Sequence, residues 1–190
     1  MALRVCPWWL SFFVGNVLRR LIHDPDEILT GLVANGHTAV DIGCGPGFFT
    51  IAMAKLVGED GRVIAADVQT RMLDYVRRRA EKAGLESRIR LHHCEEEKLG
   101  IEERVDFALA FYMVHEVPSV EAFLNDVAGI LKPGAALLLV EPKMHVTDSR
   151  FKDIVQSACA AGLEPGSEVK IRGSRGMLFS AGPAPNPGGG

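Results

Sequence analysis

No run in this sequence is apolar for long enough to cross a bilayer. The nearest approach, Val5-Cys6-Pro7-Trp8-Trp9-Leu10-Ser11-Phe12-Phe13-Val14 after Arg4, is too short, and no small-x-small cleavage site follows it. It reads as an apolar helix of a protein that is not exported. Cysteine is sparse: Cys6, Cys44, Cys94 and Cys159 are scattered, with no C-x-x-C pair and no zinc spacing. That excludes a disulfide framework and a zinc site and points to a reducing compartment, the cytoplasm. Positive charge is not in excess either. Against 24 Asp and Glu stand 21 Lys and Arg, a net charge of −3, so there is no overall electrostatic footprint for nucleic acid. Arg77-Arg78-Arg79 is a local exception that reads as a solvated helix face. What is present is apolar mass: 47% of 190 residues is enough for one domain with a real core.

The most informative stretch is Val40-Asp41-Ile42-Gly43-Cys44-Gly45-Pro46-Gly47-Phe48-Phe49-Thr50. Apolar residues lead into it and an amphipathic run leads out, the pattern of a strand, a tight glycine turn and a helix. Glycines there allow a sharp turn and let a ligand lie against the backbone, facing the free N–H groups of the next helix. Asp41 at the strand end can accept from a ligand ammonium or hold the turn. A dinucleotide fold needs G-x-G-x-x-G, and Phe48 stands where its third glycine belongs.

Around this stretch the chain alternates strand and helix. Trp9, Phe13, Val17 and Leu21 form a helical stripe in residues 1–23. Asp24, Pro25 and Glu27 look like the capped start of a second helix over 25–34. Strands are expected at 38–42, 62–67, 89–93, 105–110 and 136–141, with helices at 47–57, 69–83, 120–131 and 148–161. Residues 170–172 and 177–180 should pair as an antiparallel hairpin across 173–176. Residues 182–190 form a low-complexity, flexible tail. The fold class is α/β, a doubly wound and mostly parallel sheet, which takes ligands at the carboxyl ends of its strands.

The D-x-G-x-G-x-G pattern resembles motif I of the S-adenosylmethionine (SAM)-dependent methyltransferases with the Rossmann-like fold. The resemblance covers residues 37–181 and implies a seven-stranded sheet of order 3-2-1-4-5-7-6 with the last strand antiparallel. Residues 1–36 would then be a helical cap or lid. SAM would be the cofactor and S-adenosylhomocysteine the product. Asp41, Gly43, Cys44, Gly45, Gly47 and Phe48 would surround the methionine part of SAM. Asp67, twenty residues beyond Gly47, would accept from the ribose hydroxyls. Val68 would pack the adenine, with Met72 either beside it or plain helix core. His93-Cys94-Glu95-Glu96-Glu97-Lys98-Leu99 looks like the family's G-D-A-x-x-L loop. In it Cys94 replaces the glycine, Glu95 takes the acidic position and Glu96 offers its N–H to an adenine nitrogen. His92 and His93 point to opposite faces of a strand and so do not suggest a metal.

Ala110-Phe111-Tyr112-Met113-Val114-His115-Glu116-Val117-Pro118 resembles the family segment ending L-H-H-V-P. Ala110 and Phe111 would lie beside the sulfonium, with Tyr112 and His115 near the reaction centre. His115 is a candidate general base or a cofactor-shell residue. Glu141 and His145 either overhang the substrate side or belong to a solvated loop. Cys6-Pro7-Trp8-Trp9, Leu18-Arg19-Arg20-Leu21-Ile22-His23-Asp24-Pro25 and His115-Glu116-Val117-Pro118 are also similar to segments of a group of small microbial methyltransferases. The expected function is methyl transfer from SAM to a small-molecule acceptor, with no nucleic acid, no metal and no membrane span. The acceptor atom (O, N, S or C) and the oligomeric state stay open. Two rivals are a nicotinamide-dependent oxidoreductase, disfavoured by Phe48, and a non-catalytic SAM-binding module or partner-activating subunit.

Overall fold

A computed structural model describes residues 23–182. The expectations for residues 1–22 and 183–190, which include the apolar opening helix and most of the tail, lie outside the described residues. In chain order, and numbering helices from the first one described, the elements are α1 (Pro25–Leu29), β1 (Thr38–Ile42), α2 (Phe48–Leu56), β2 (Arg62–Asp67), α3 (Thr70–Ala83), β3 (Ile89–His93), β4 (Val105–Phe111), α4 (Val120–Ile130), β5 (Leu131–Pro142), α5 (Asp148–Ala160), β6 (Leu163–Val169) and β7 (Ser174–Ala181). The strands form one sheet of order β3-β2-β1-β4-β5-β7-β6. Pairs from β3 through β5 are parallel, and β7 runs antiparallel to both β5 and β6.

Strand alternation explains how one sheet makes two cores. Val40, Ile42, Ile64, Ala66, Ala108, Ala110, Leu137 and Leu139 point to the face covered by α4 and α5. Ala39, Val63, Phe107, Leu109, Phe111, Leu138 and Val140 point to the other, covered by α1 and α2. Successive residues of a strand face opposite sides, so a strand between two helical layers is buried on both faces, as β1 is throughout and β2 is beyond Arg62. The polar residues at strand ends are sorted by the same parity. Asp41 falls on the face of α2, whereas Glu141 falls on the face of α4 and α5.

Three boundaries differ from the sequence expectation. The second helix stops at Leu29 rather than at residue 34, because Thr30 leaves the helical region (ψ 127°) and Gly31 adopts φ 78°. β5 begins at Leu131, straight after α4, and takes in Pro133. A shift in register between Val105 and Phe107 opposite it accommodates the proline, which cannot donate to a regular ladder. The terminal hairpin turns three residues earlier than expected, over 170–173 rather than 173–176. β6 is Leu163–Val169 and β7 starts at Ser174. β6 carries Glu164, Pro165, Gly166 and Glu168, a polar sequence that only a sheet edge accepts, and its register shifts between Pro165 and Glu168.

Candidate active site

The carboxyl ends of β1, β2, β4 and β5 converge on one rim, and the candidate residues are distributed along it. The turn after β1 is hooked to β2: the Gly43 and Cys44 N–H groups donate to the Ala66 carbonyl at 2.8 and 3.1 Å. Asp41 is buried, and Thr50 of α2 donates its hydroxyl to the Asp41 carboxylate at 2.5 Å. The three turn glycines have different surroundings. A side chain at Gly43 would meet Met113 at 2.9 Å, and one at Gly47 would meet Val76 at 3.0 Å. At Gly45 a Cβ would meet nothing within 4 Å. Gly45, with φ 52°, is therefore the place where the backbone lies open.

Asp67 at the end of β2 is only 7% exposed. Its two carboxylate oxygens accept from the Gly45 N–H at 2.9 Å and the Gln69 N–H at 2.8 Å. Burial pushes its carboxyl above the ordinary range, and the Gln69 and Gly45 N–H groups pull the other way. The loop after β3 is tied to the same corner by the Cys94 N–H, which donates to the Asp67 carbonyl at 3.1 Å. Burial also pushes up the Cys94 thiol, to about 12, and raises the Cys44 thiol well above its usual value. Both are neutral at physiological pH and act as small apolar walls. Val68 is half-buried at the rim, Met72 is buried in α3, and Glu95 and Glu96 are exposed. Phe48 is buried against Phe49 at the start of α2.

The segment after β4 divides between the two faces. Ala110 packs toward α4 and α5. Phe111 packs the other way, its ring centroid 4.5 Å from those of Phe49 and Tyr112 and 5.4 Å from that of His23. Tyr112 has φ 64°, the one positive value at a non-glycine among the described residues. Its hydroxyl bonds to the Ser174 hydroxyl and lies 3.2 Å from His23 Nε2. A short turn follows, in which fully buried Glu141 accepts from the Val114 N–H at 2.9 Å and bonds to His115 Nδ1. The Glu141 hydrogen bond raises the His115 pKa, burial opposes it, and the charges of Glu141 and Glu116 reinforce it. With Nδ1 committed to Glu141, Nε2 is the ring atom left to face the rim, with Glu116 Oε1 at 3.7 Å. His145 lies parallel to His115 at 6.1 Å. Sequence reasoning did not single out Thr50, Ser174 or His23 as site residues. Thr50 stood only as the last residue of the glycine-turn stretch, Ser174 carries no motif, and His23 stood only within the segment Leu18–Pro25.

This arrangement fits SAM. Open backbone at Gly45 accepts close contact, and the buried Asp67 beside it is an acceptor for a diol. Cys94, Val68 and the apolar end of β4 wall the same corner. A glycine turn with Phe48 at the last position of G-x-G-x-x-G, on a 3-2-1-4-5-7-6 sheet, defines a class I methyltransferase fold. Comparison with known proteins agrees. Residues 39–134 match the family model described as a methyltransferase domain. The ubiquinone/menaquinone biosynthesis C-methyltransferase UbiE of Pasteurella multocida is 29% identical over 144 residues, 75% of this chain and 52% of that protein. The demethylmenaquinone methyltransferase of Staphylococcus saprophyticus is 29% identical over 116 residues, 60% of this chain and 48% of that protein. Among solved structures, a SAM-dependent methyltransferase from Aquifex aeolicus superposes with a TM-score of 0.82 at 26% identity, covering 93% of this chain and 99% of that one. The chain belongs to the SAM-dependent methyltransferases with the Rossmann-like fold, enzymes whose cofactor is SAM. It spans about half the length of the two curated relatives just named.

Proposed function

We propose that this protein transfers a methyl group from SAM to a small-molecule acceptor bearing an ionisable proton, in the cytoplasm. His115, held by Glu141, is the group that takes up that proton. The observation that carries this reading is the pair of buried Glu141 and half-buried His115, two residues beyond Met113, which covers Gly43 of the glycine turn. When bound, SAM supplies a methyl group on a sulfonium, already electrophilic. The chain's own residues then have three tasks. Asp67 holds the nucleoside end, and the open backbone at Gly45 beside it lets the methionine part lie against the turn. Asp41, fixed by Thr50, and the turn N–H groups hold the amino-acid end. Glu141 keeps His115 in the tautomer and orientation in which Nε2 is presented to the rim, and its charge stabilises the imidazolium formed when a proton arrives. Alignment and exclusion of water supply most of the remaining acceleration in a displacement of this kind.

Relatives named for quinone methylation make ring-hydroxylated aromatics the first acceptors to test. The balance of 21 Lys and Arg against 24 Asp and Glu supports a small acceptor over nucleic acid, and the free thiols of Cys44, Cys94 and Cys159 support a reducing compartment. The experiment is methyl transfer from labelled SAM across demethylated quinols, simple hydroquinones and metabolite pools, read as S-adenosylhomocysteine formed. His115→Ala should lower turnover by about a hundredfold, within the range for general-base loss, and leave SAM affinity nearly intact. SAM binding with no S-adenosylhomocysteine formed from any pool would overturn the catalytic reading.

A further inference from the structure

Tyr112 is a bulky residue in the left-handed backbone region, at φ 64°. That conformation is costly for a side chain with a Cβ and persists only where surrounding contacts hold it. Contacts from β5, β7 and His23 hold it here. The Tyr112 N–H donates to the Val140 carbonyl at 2.8 Å, keeping the residue against β5. Its hydroxyl bonds to Ser174 Oγ, a buried group that also donates to the Arg172 carbonyl at 3.2 Å. His23 Nε2 lies 3.2 Å from the same hydroxyl and 3.1 Å from the Arg172 carbonyl. The His23 ring meets that of Tyr112 edge-on, at 5.7 Å and 88°. Ser174 stands opposite Pro142 on the neighbouring strand, one residue from the Glu141–Arg175 pair.

The segment 112–115 is therefore pinned at both ends to the β5–β7 pair. Tyr112 is tied to Ser174 of β7, and Val114 and His115 are tied to Glu141 of β5. Met113 lies between the pins, over Gly43. A hairpin at the far side of the sheet thus sets the path of the loop that carries the candidate base. We propose that Tyr112, Ser174 and His23 form a positioning cluster that holds residues 112–116 in the conformation where His115 meets Glu141 and Met113 closes over the cofactor turn. The proposal rests on the reading of His115 as proton acceptor. It assigns Tyr112 to holding the loop rather than to handling the acceptor's proton.

The groups facing His115 are Glu141 from β5, Glu116 from its own turn, His145 from the loop after β5, and Arg150 from α5, whose Nη2 lies 3.5 Å from the His115 carbonyl. Only Glu141 makes a direct ring hydrogen bond to His115 among the described residues, so the His115 titration reports on the loop's geometry. The test uses the full chain with Tyr112→Phe, which keeps the ring and removes the hydroxyl, and Ser174→Ala. His115 is titrated by NMR without acceptor, SAM binding is measured by calorimetry, and the methyl-transfer rate is followed against pH. The expected result is a fall of about half a unit or more in the His115 midpoint in both variants. The acidic limb of the rate profile should move down with it, and SAM affinity should stay within about threefold. Unchanged midpoints in folded variants would overturn the proposal. Should Ser174→Ala fail to fold, Tyr112→Phe carries the test alone. A midpoint that moves while the rate profile stays still supports the positioning cluster and removes His115 as proton acceptor, so the two readings fail separately.

Discussion

Asp67 offers the sharpest test of the cofactor site. Its carboxylate accepts from the backbone N–H groups of Gly45 and Gln69 at 2.9 and 2.8 Å, so it holds the glycine turn against β2 in addition to the ribose contact proposed for it. Asp67→Ala removes both roles. Hydrogen bonds to a charged group contribute about 1.5–3 kcal/mol each. Loss of two bonds to the ribose hydroxyls amounts to roughly 3–6 kcal/mol, or a fall in SAM affinity of about a hundredfold or more. The same change strands two backbone donors but also relieves a buried charge, so stability should fall by only about 1–2 kcal/mol. Asp67→Asn keeps one acceptor oxygen and should lose roughly tenfold in affinity. Folding and binding respond oppositely to pH. The carboxyl is raised in the folded protein, so its contribution to stability is complete at low pH and is lost as pH rises through the raised value. Affinity for SAM instead weakens as pH falls through that value, because only the ionised group accepts from both hydroxyls. Calorimetric titration with SAM, repeated down the pH scale, together with thermal melts, measures all of this. A folded Asp67→Ala protein whose SAM affinity stays within about threefold of the parent would refute the assignment and the arithmetic with it.

A Cβ at Gly45 meets no protein atom within 4 Å, so Gly45→Val should cost chiefly the strain of a branched residue at positive φ, about 1–2 kcal/mol, while abolishing SAM binding; normal binding would place the cofactor elsewhere. Glu141→Gln should bring the His115 midpoint below its parent value, since burial then outweighs the lost hydrogen bond and charge. The raised histidine stabilises the parent at pH below its ordinary value and loses that contribution as pH rises through the folded one. Denaturation should therefore show a variant about 1–3 kcal/mol weaker at acid pH and closer to the parent at alkaline pH. We also propose that residues 1–36 cap the cofactor site, with His23 buried against Phe111 and Tyr112 as the docked end. Hydrogen exchange over residues 8–22 should slow on adding SAM, and equal protection in both states would leave a fixed helix.

How much of this was legible beforehand depends on the range of the interaction involved. Local rules sufficed for β1, β2 and β3, whose bounds follow from short apolar runs closed by glycine, aspartate or histidine. They sufficed too for α3, whose buried Met72, Leu73, Val76 and Ala80 repeat at helical spacing and stop at Gly84. The glycine turn and Asp67 stand at fixed offsets along one strand–helix–strand unit, which is why a linear pattern finds them. Strand order came from the family resemblance, because nothing in periodicity says that β7 inserts between β5 and β6. β6 itself was missed as a strand for a physical reason: at the sheet edge it needs no apolar face, so Leu163–Val169 reads as loop. The polar pairings needed the folded chain most of all. Thr50 meets Asp41 across nine residues, Glu141 meets His115 across 26, and Ser174 meets Tyr112 across 62. Sequence placed Asp41, His115, Tyr112 and Glu141 at strand ends, where any could face ligand or solvent. Only the register of β5 against β4 and β7 buries Glu141 beneath His115 and sets Ser174 under Tyr112, because a side chain's partner across a sheet is decided by which strands lie side by side.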